Sequence, residues 1–322
     1  MPGDVVPSGR ARPQLRLPPL PRAGDRVALI APAGPVPPDR IERGLAWLRS
    51  LGLDPVPGRH LSRRGGHGLA FLAGDDDDRA ADLQEAWCDP RVAAVLCARG
   101  GDGTPRLLQR LDWRALAAAQ PKPLAGLSDV TALHQAFARR LGVATLWSPM
   151  PCTPVLCGPE ADATSQQRLA AALLHPGAAV DLSGRPLVGG RATAALVGGT
   201  LASLSAMVAT PDCMPAAGAI AVLEDLGEAP YRVERFLTHL RRAGWLDGVA
   251  GVACGDWTAC GDPAELDAVL RDRLGDLGVP VVLGLPFGHG PVQSSLWLGR
   301  PALLDGDAGR LLQHEPDETG PS

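Results

Sequence analysis

A serine hydroxyl attacks an amide at neutral pH only when a base takes its proton and a carboxylate holds that base, so the residues that could do this chemistry have to be found as a set. Ser128 lies in Gly126-Leu127-Ser128-Asp129, at the junction of an apolar run and a helical pattern, where a tight turn projects a side chain beside the N–H groups of a helix start. The second glycine of a G-x-S-x-G elbow is missing, and the same serine would serve as a simple helix N-cap. Of seven histidines, His289 stands out because Gly288 and Gly290 flank it after an apolar run, which lets the backbone present an imidazole at a loop tip. His134, in the helix after Ser128, also competes, although a core or helix-surface role is the simpler account; His60, His67, His175, His239 and His314 lie in loop, helix or tail contexts. Glu224 directly follows the apolar residues 219–223, and strand ends of α/β proteins face the ligand crevice; pairing with Arg232 or Arg235 is its structural alternative. Ser, Glu and His then follow one another in the chain order of the α/β-hydrolases.

The elements that must position these residues alternate. Residues 26–31 form a short continuous apolar run ending in Pro32-Ala33-Gly34-Pro35, the pattern of a buried parallel strand, and Ile41, Leu45 and Leu48 follow at helical spacing up to Gly52. The acidic run from Asp75 to Asp78 reads as the capped start of a helix carrying Ala80, Leu83 and Trp87. Residues 92–98 predict a second strand, turning at Arg99-Gly100-Gly101-Asp102-Gly103 into a helix through Leu107, Leu108 and Leu111. A third unit has a strand over 123–127, the turn at Ser128, and a helix over 129–140, with one more strand over 144–147. Alternation of this kind implies a doubly wound parallel sheet with right-handed crossovers. Further on, helices over 200–208, 231–243 and 263–274 and strands over 219–223, 249–254 and 281–283 predict a second, smaller α/β domain, with the active site between the two. The expected division is a flexible tail over 1–24, a nucleophile-bearing domain over 25–155, a linker over 156–192 with a helix near 165–174, a domain over 193–310 carrying Glu224 and His289, and a tail over 311–322.

Composition narrows the class. With 322 residues, 45% of them apolar, the chain can bury two cores. A formal charge of -4 with scattered basic residues offers no stripe for phosphate backbones, which argues against nucleic acid. Seven cysteines without CxxC spacing argue against a disulfide framework and a structural zinc; free thiols are the default, with Cys152 and Cys157 as the one pair that could close a loop. No signal-peptide core and no membrane-length apolar run can be read, so the expected location is the cytoplasm with no membrane partner.

Four segments resemble, in order, the signatures of the LD-carboxypeptidase family, which includes the microcin C immunity peptidases. They are Arg99-Gly100-Gly101, residues 126–134 (GLSDVTALH), residues 223–232 (LEDLGEAPYR) and residues 284–289 (GLPFGH). The resemblance spans about residues 25–305. It implies a two-domain serine peptidase with Ser128 as nucleophile on the first domain, Glu224 and His289 from the second, and the backbone N–H groups of Gly101 and Asp129 as oxyanion hole. It further implies a small peptide substrate, typically a cytoplasmic muropeptide tetrapeptide losing its terminal D-alanine in cell-wall recycling, no metal or other cofactor, and frequently a homodimer. An antibiotic peptide or acyl-nucleotide conjugate is the alternative substrate. This chain departs from the family pattern at Asp102, where tyrosine is common, at Thr200, where asparagine is common, and at Trp147-Ser148, where a histidine-glycine pair is common. Asp102 is accordingly a candidate pocket residue, with helix capping as its structural alternative.

Two rivals come from other classes. Gly100-Gly101-Asp102-Gly103-Thr104 spells the GGDGT phosphate motif of NAD and diacylglycerol kinases, but NAD kinases also use a downstream Asn-Glu pair and this chain contains no asparagine. A binding module of two α/β domains closing on a ligand explains the fold but leaves the serine, glutamate and histidine without a purpose.

Overall fold

The computed structural model describes residues 15–159 and 161–313. Four strands of the first sheet follow the predicted apolar runs, β1 (Arg26–Ile30), β3 (Val92–Cys97), β4 (Leu124–Gly126) and β5 (Thr145–Trp147), and a fifth, β2 (Asp54–Pro57), whose DPVP sequence carries no apolar run, was not anticipated. All are parallel, in the order β2-β1-β3-β4-β5, a doubly wound arrangement with its switch point between β1 and β3. Helices on both faces explain the unbroken apolar runs: Val27, Leu29, Ala94 and Leu96 pack with Ile41 and Leu45 of helix Pro38–Ser50, while Ile30, Val95 and Cys97 pack with Leu83 and Phe137 on the opposite side.

The second sheet comprises β6 (Val180–Ser183), β7 (Arg185–Val188), β8 (Arg191–Thr200), β9 (Ile220–Leu226), β10 (Gly251–Thr258) and β11 (Val281–Leu283), and, after an intervening strand β12 (Leu296–Leu298), β13 (Pro301–Asp305) and β14 (Arg310–Gln313). Its order is β6-β14-β13-β8-β9-β10-β11-β7, parallel over β8 to β11 and antiparallel elsewhere. Its two outermost strands, β6 and β7, are joined through Gly184 alone, so the sheet curls into a mixed, nearly closed barrel. Helices Leu201–Met207, Pro230–Arg242 and Pro263–Leu274 cover one face through Leu204, Leu237 and Leu270. β12 leaves the barrel and pairs antiparallel with β5, which ties the two domains together beside the crevice.

Several local expectations change. The helix expected through Leu111 stops at Leu107, and a new helix, Trp113–Ala118, begins where the Asp112 carboxylate accepts from the N–H groups of Arg114 and Ala115, both at 3.0 Å. The Asp75 side chain does not cap helix Asp76–Cys88; it accepts from the His67 N–H at 2.9 Å, and buried Asp76 pairs with Arg79 and Arg106. The segment expected as a linker contains helix Ala163–Leu174, β6, β7 and the first residues of β8. Of the expected tails, residues 1–14 and 314–322 lie outside the described residues; Leu15 packs against Gly299, the Arg16 N–H donates to the Gly142 carbonyl at 2.9 Å, and Leu311 and Gln313 lie within β14. All seven cysteines are free, Cys152 and Cys157 included. Among the described residues no helix is long and apolar enough to cross a membrane.

Candidate active site

β4 ends at Gly126, and the chain passes through a 3-10 turn, Ser128–Val130, into helix Thr131–Leu141. Ser128 has φ +68°, a left-handed conformation that a side-chain-bearing residue adopts only where the surrounding structure imposes it. That geometry distinguishes an elbow from an N-cap, and the Ser128 side chain caps nothing here. It is held from across the turn instead: the Thr131 hydroxyl donates to the Ser128 carbonyl at 2.6 Å. Gly100, at the end of β3, supplies the room. A Cβ there would lie 2.6 Å from the Ser128 Cβ and 2.8 Å from its Oγ.

Glu224 sits in β9, where the pleat sends Ala221 and Leu223 to the helical face and turns Ile220, Val222 and Glu224 the other way. The carboxylate is fully buried. Burial of a charge demands partners, and two are present: the Thr200 hydroxyl donates to Oε1 at 2.5 Å, and His289 meets Oε2 through Nδ1 at 2.7 Å and through its backbone N–H at 3.2 Å. Gly288 has φ +99°, and a Cβ on it would lie 2.4 Å from Glu224 Oε2, so glycine is what allows the His289 loop to come this close. Burial acts to lower the imidazole pKa, but the charge and hydrogen bond of Glu224 outweigh it and hold His289 above the ordinary histidine value. Neither alternative pairing for Glu224 forms among the described residues: Arg232 bonds Glu228, and Arg235 lies over the Tyr231 ring.

Ser128 and His289 line one cavity of about 680 Å³ between the domains, at the carboxyl ends of the first sheet's strands. They do not hydrogen-bond to each other here. Gly100 and Gly101 line the same cavity, and Gly101, at φ +136° with Gly34 packed against it, presents backbone toward it where any side chain would clash. Asp129 is buried just behind the turn. Its carboxylate accepts from the Thr104 N–H at 2.8 Å and so anchors the glycine loop to the serine turn, while burial pushes its pKa up to about 6.

Asp102, expected beside the pocket, is exposed and is not among the residues lining the cavity; nor does it cap the following helix, whose N-cap is Gly103. His134 is fully enclosed, bonded to the Thr145 hydroxyl at 2.8 Å and the Gly126 carbonyl at 2.9 Å, with burial lowering its pKa to about 4. It holds β4 and β5 in place from outside the cavity. Sequence reasoning missed Arg40 and Arg99, which line the cavity, and Asp256 in β10, whose carboxyl would lie 1.9 Å from a Cβ at Gly290 and whose pKa burial and the Glu224 charge raise to about 6. Periodicity carried no signal for any of the three.

Comparison with known proteins covers both domains. Residues 27–148 match the N-terminal domain of LD-carboxypeptidases and residues 193–304 match the C-terminal domain, so the matched regions carry Ser128 on one side and Glu224 and His289 on the other. A Streptomyces coelicolor relative is 49% identical over 296 residues, covering 91% of this chain and 94% of its own; its name goes no further than carboxypeptidase. A Pseudomonas aeruginosa relative named as a murein tetrapeptide carboxypeptidase is 36% identical over 293 residues, covering 88% of this chain and 94% of its own. Among solved structures, a muramoyltetrapeptide carboxypeptidase from Oxalobacter formigenes superposes with a TM-score of 0.80 at 29% identity over 90% of this chain and 98% of that one. An MccF-like protein from Bacillus anthracis, with a TM-score of 0.83 at 20% identity over 92% and 99% of the two chains, shares the fold. With both domains matched and full-length relatives at this level of identity, the chain belongs to the LD-carboxypeptidase family of serine peptidases.

Proposed function

We propose that the protein removes the terminal D-alanine of muropeptide tetrapeptides by hydrolysing the L,D peptide bond, with Ser128 as nucleophile, His289 as general base and acid, and Glu224 as the group that orients His289. The observation that carries this reading is the 2.7 Å contact of His289 Nδ1 with fully buried Glu224, in a cavity that Ser128 also lines. With Nδ1–H donating to Glu224, Nε2 is left free to accept the Ser128 proton.

In the proposed reaction the Ser128 Oγ attacks the scissile carbonyl carbon as its proton passes to His289 Nε2. The carbonyl oxygen takes the negative charge of the tetrahedral species, facing the N–H groups of Gly101 and Asp129. Collapse breaks the C–N bond, and His289 returns the proton to the departing amine of D-alanine. Water, deprotonated by His289, then attacks the acyl carbon; the Ser128 Oγ–acyl bond breaks and His289 returns the proton to Ser128 Oγ. The murein substrates named for the relatives support the choice of substrate, and the action fits cytoplasmic cell-wall recycling by a homodimer. The test is a panel of tri-, tetra- and pentapeptides with L,D and D,D ends, plus an acyl sulfamoyl nucleoside, analysed by mass spectrometry. Loss of one D-alanine from the L,D-tetrapeptide, abolished by Ser128→Ala, is the expected result; turnover of the nucleoside conjugate alone would overturn the substrate, and full activity of Ser128→Ala the mechanism.

A further inference from the structure

The cavity lining carries two full positive charges and no carboxylate. Arg40 comes from the first turn of helix Pro38–Ser50 and Arg99 from the end of β3, immediately before the two glycines that face Ser128. Neither forms an ion pair with any described residue. Among the described residues the Arg99 guanidinium makes one hydrogen bond, from NH1 to the Pro35 carbonyl at 3.0 Å, and Arg40 makes none through its side chain. Burial, and then the charge of Arg40, lower the Arg99 pKa, so the two guanidinium groups are near enough to repel each other. Exposed arginines can go unpaired at little cost because water solvates them, as at Arg49, Arg114 and Arg242; Arg40 and Arg99 are both only partly exposed and line a cavity. Two like charges turned into a half-enclosed cavity without a counter-charge are unfavourable in the empty protein, and an incoming anion relieves that repulsion. Guanidinium groups match a carboxylate in geometry, each able to offer two parallel N–H donors.

We propose that Arg40 and Arg99 form a carboxylate-binding subsite that reads an acidic group of the peptide substrate beside Ser128. The inference rests on the peptidase reading above and deepens it by naming what the cavity demands of its substrate. A tetrapeptide offers such a group from two sources, its terminal carboxylate or a carboxylate on the side chain of the third residue.

The experiment compares kcat/KM on three L,D-tetrapeptides, one with a free terminal carboxylate and a lysine third residue, its C-terminal amide, and the free acid with diaminopimelate third. Wild type, Arg40→Gln and Arg99→Gln are measured side by side, with thermal unfolding as a check; Arg40→Gln is the primary variant because that side chain supports no structural bond. If the terminal carboxylate is read, the wild-type acid-to-amide ratio of about 10 to 100 falls toward 1 in Arg40→Gln through KM, the span set by a lost charge-assisted hydrogen bond. If the side-chain carboxylate is read, the ratio of diaminopimelate to lysine peptide collapses instead. Equal losses on all three peptides, or none, overturn the subsite. Failure of the wild type to cleave any of them is a separate result, which removes the peptidase reading itself.

Discussion

Thr131 and Thr200 join the two halves of the site: the Thr200 N–H, on the barrel, donates to the Thr131 hydroxyl at 3.1 Å, and that hydroxyl donates onward to the Ser128 carbonyl at 2.6 Å. Thr200 also donates its own hydroxyl to Glu224 at 2.5 Å, and Glu224 holds His289. One unbroken run of hydrogen bonds therefore leads from the serine turn of the first domain to the imidazole of the second. Gly199 makes the approach possible, since a Cβ on it would lie 2.5 Å from the Thr131 methyl. Two domains bearing complementary parts of one site need such a strut, because a displacement of about 1 Å is enough to cost roughly 100-fold in rate.

Thr200→Val removes the hydroxyl and leaves a buried Glu224 oxygen without its donor. The expected outcome is a fall of about 10-fold in kcat with little change in KM, because substrate contacts are untouched. Thr200→Asn, the residue common in the family, can donate from its amide and should recover most of the loss. Steady-state kinetics of the two variants decide it; equal impairment of both would mean that the position tolerates only threonine packing.

In the proposed mechanism the acid limb of the rate profile should report His289. Its pKa is held up by Glu224 against the effect of burial, and a general base must be neutral, so kcat/KM should fall as pH drops through a value above the ordinary imidazole pKa of about 6.5. In Glu224→Gln the supporting charge is gone, burial acts unopposed, and the limb moves to lower pH while the plateau falls by up to roughly four orders of magnitude. Profiles from pH 5 to 9 would show it. A limb at the same pH in both proteins assigns the titration to another group.

Much of this site could be read from the chain, for physical reasons that also mark the limit. β1, β3 and β4 are buried on both faces, so their sequences are continuous apolar runs, and glycines after β3 and around His289 announce tight backbone turns. Only β9, β10 and β11 of the eight barrel strands were anticipated. β6, β7 and the first half of β8 keep exposed residues on the outer surface, and Val180–Ser183 and Arg185–Val188 are too short to show alternation. β12 is a three-residue strand whose partner is β5, a non-local pairing that no periodicity encodes. Arg99 stands in the Arg99-Gly100-Gly101 turn that the sequence already singled out, but the residues around Arg40 carry no such mark, and the two line one cavity only because Pro38–Ser50 packs over the strand ends.

Gly100→Ala tests the packing of the serine turn. The added methyl would fall 2.6 Å from the Ser128 Cβ, well inside contact distance, so Ser128 must move. Turnover should drop roughly 100-fold or more, and Ser128 should lose reactivity toward a fluorophosphonate probe, while the fold survives. Wild-type labelling rates in this variant would show that the turn has slack.

The last expectation concerns Asp225, next to Glu224 in β9 but turned to the opposite face, where its carboxyl accepts from the Ala202 N–H at 2.9 Å and the Leu226 N–H at 2.8 Å. Burial raises its pKa to about 7, with the Glu224 charge adding to the rise and the two N–H groups opposing it. An unfolded aspartate titrates near 3.9, so between about pH 4 and pH 7 the folded protein holds a proton that the unfolded chain has released. The contribution to stability is therefore greatest below about pH 4 and declines as pH rises through about 7, by up to about 4 kcal/mol for a shift of roughly three units. Asp225→Asn cannot ionise, and it loses about 1 kcal/mol of hydrogen bonding at every pH. Relative to wild type the variant should be less stable at pH 4.5 and equal or more stable at pH 8. Urea unfolding at four pH values between these limits measures the difference directly. A constant offset across the series would mean that Asp225 stays charged in the folded protein, with its two N–H donors stronger than the burial that opposes them.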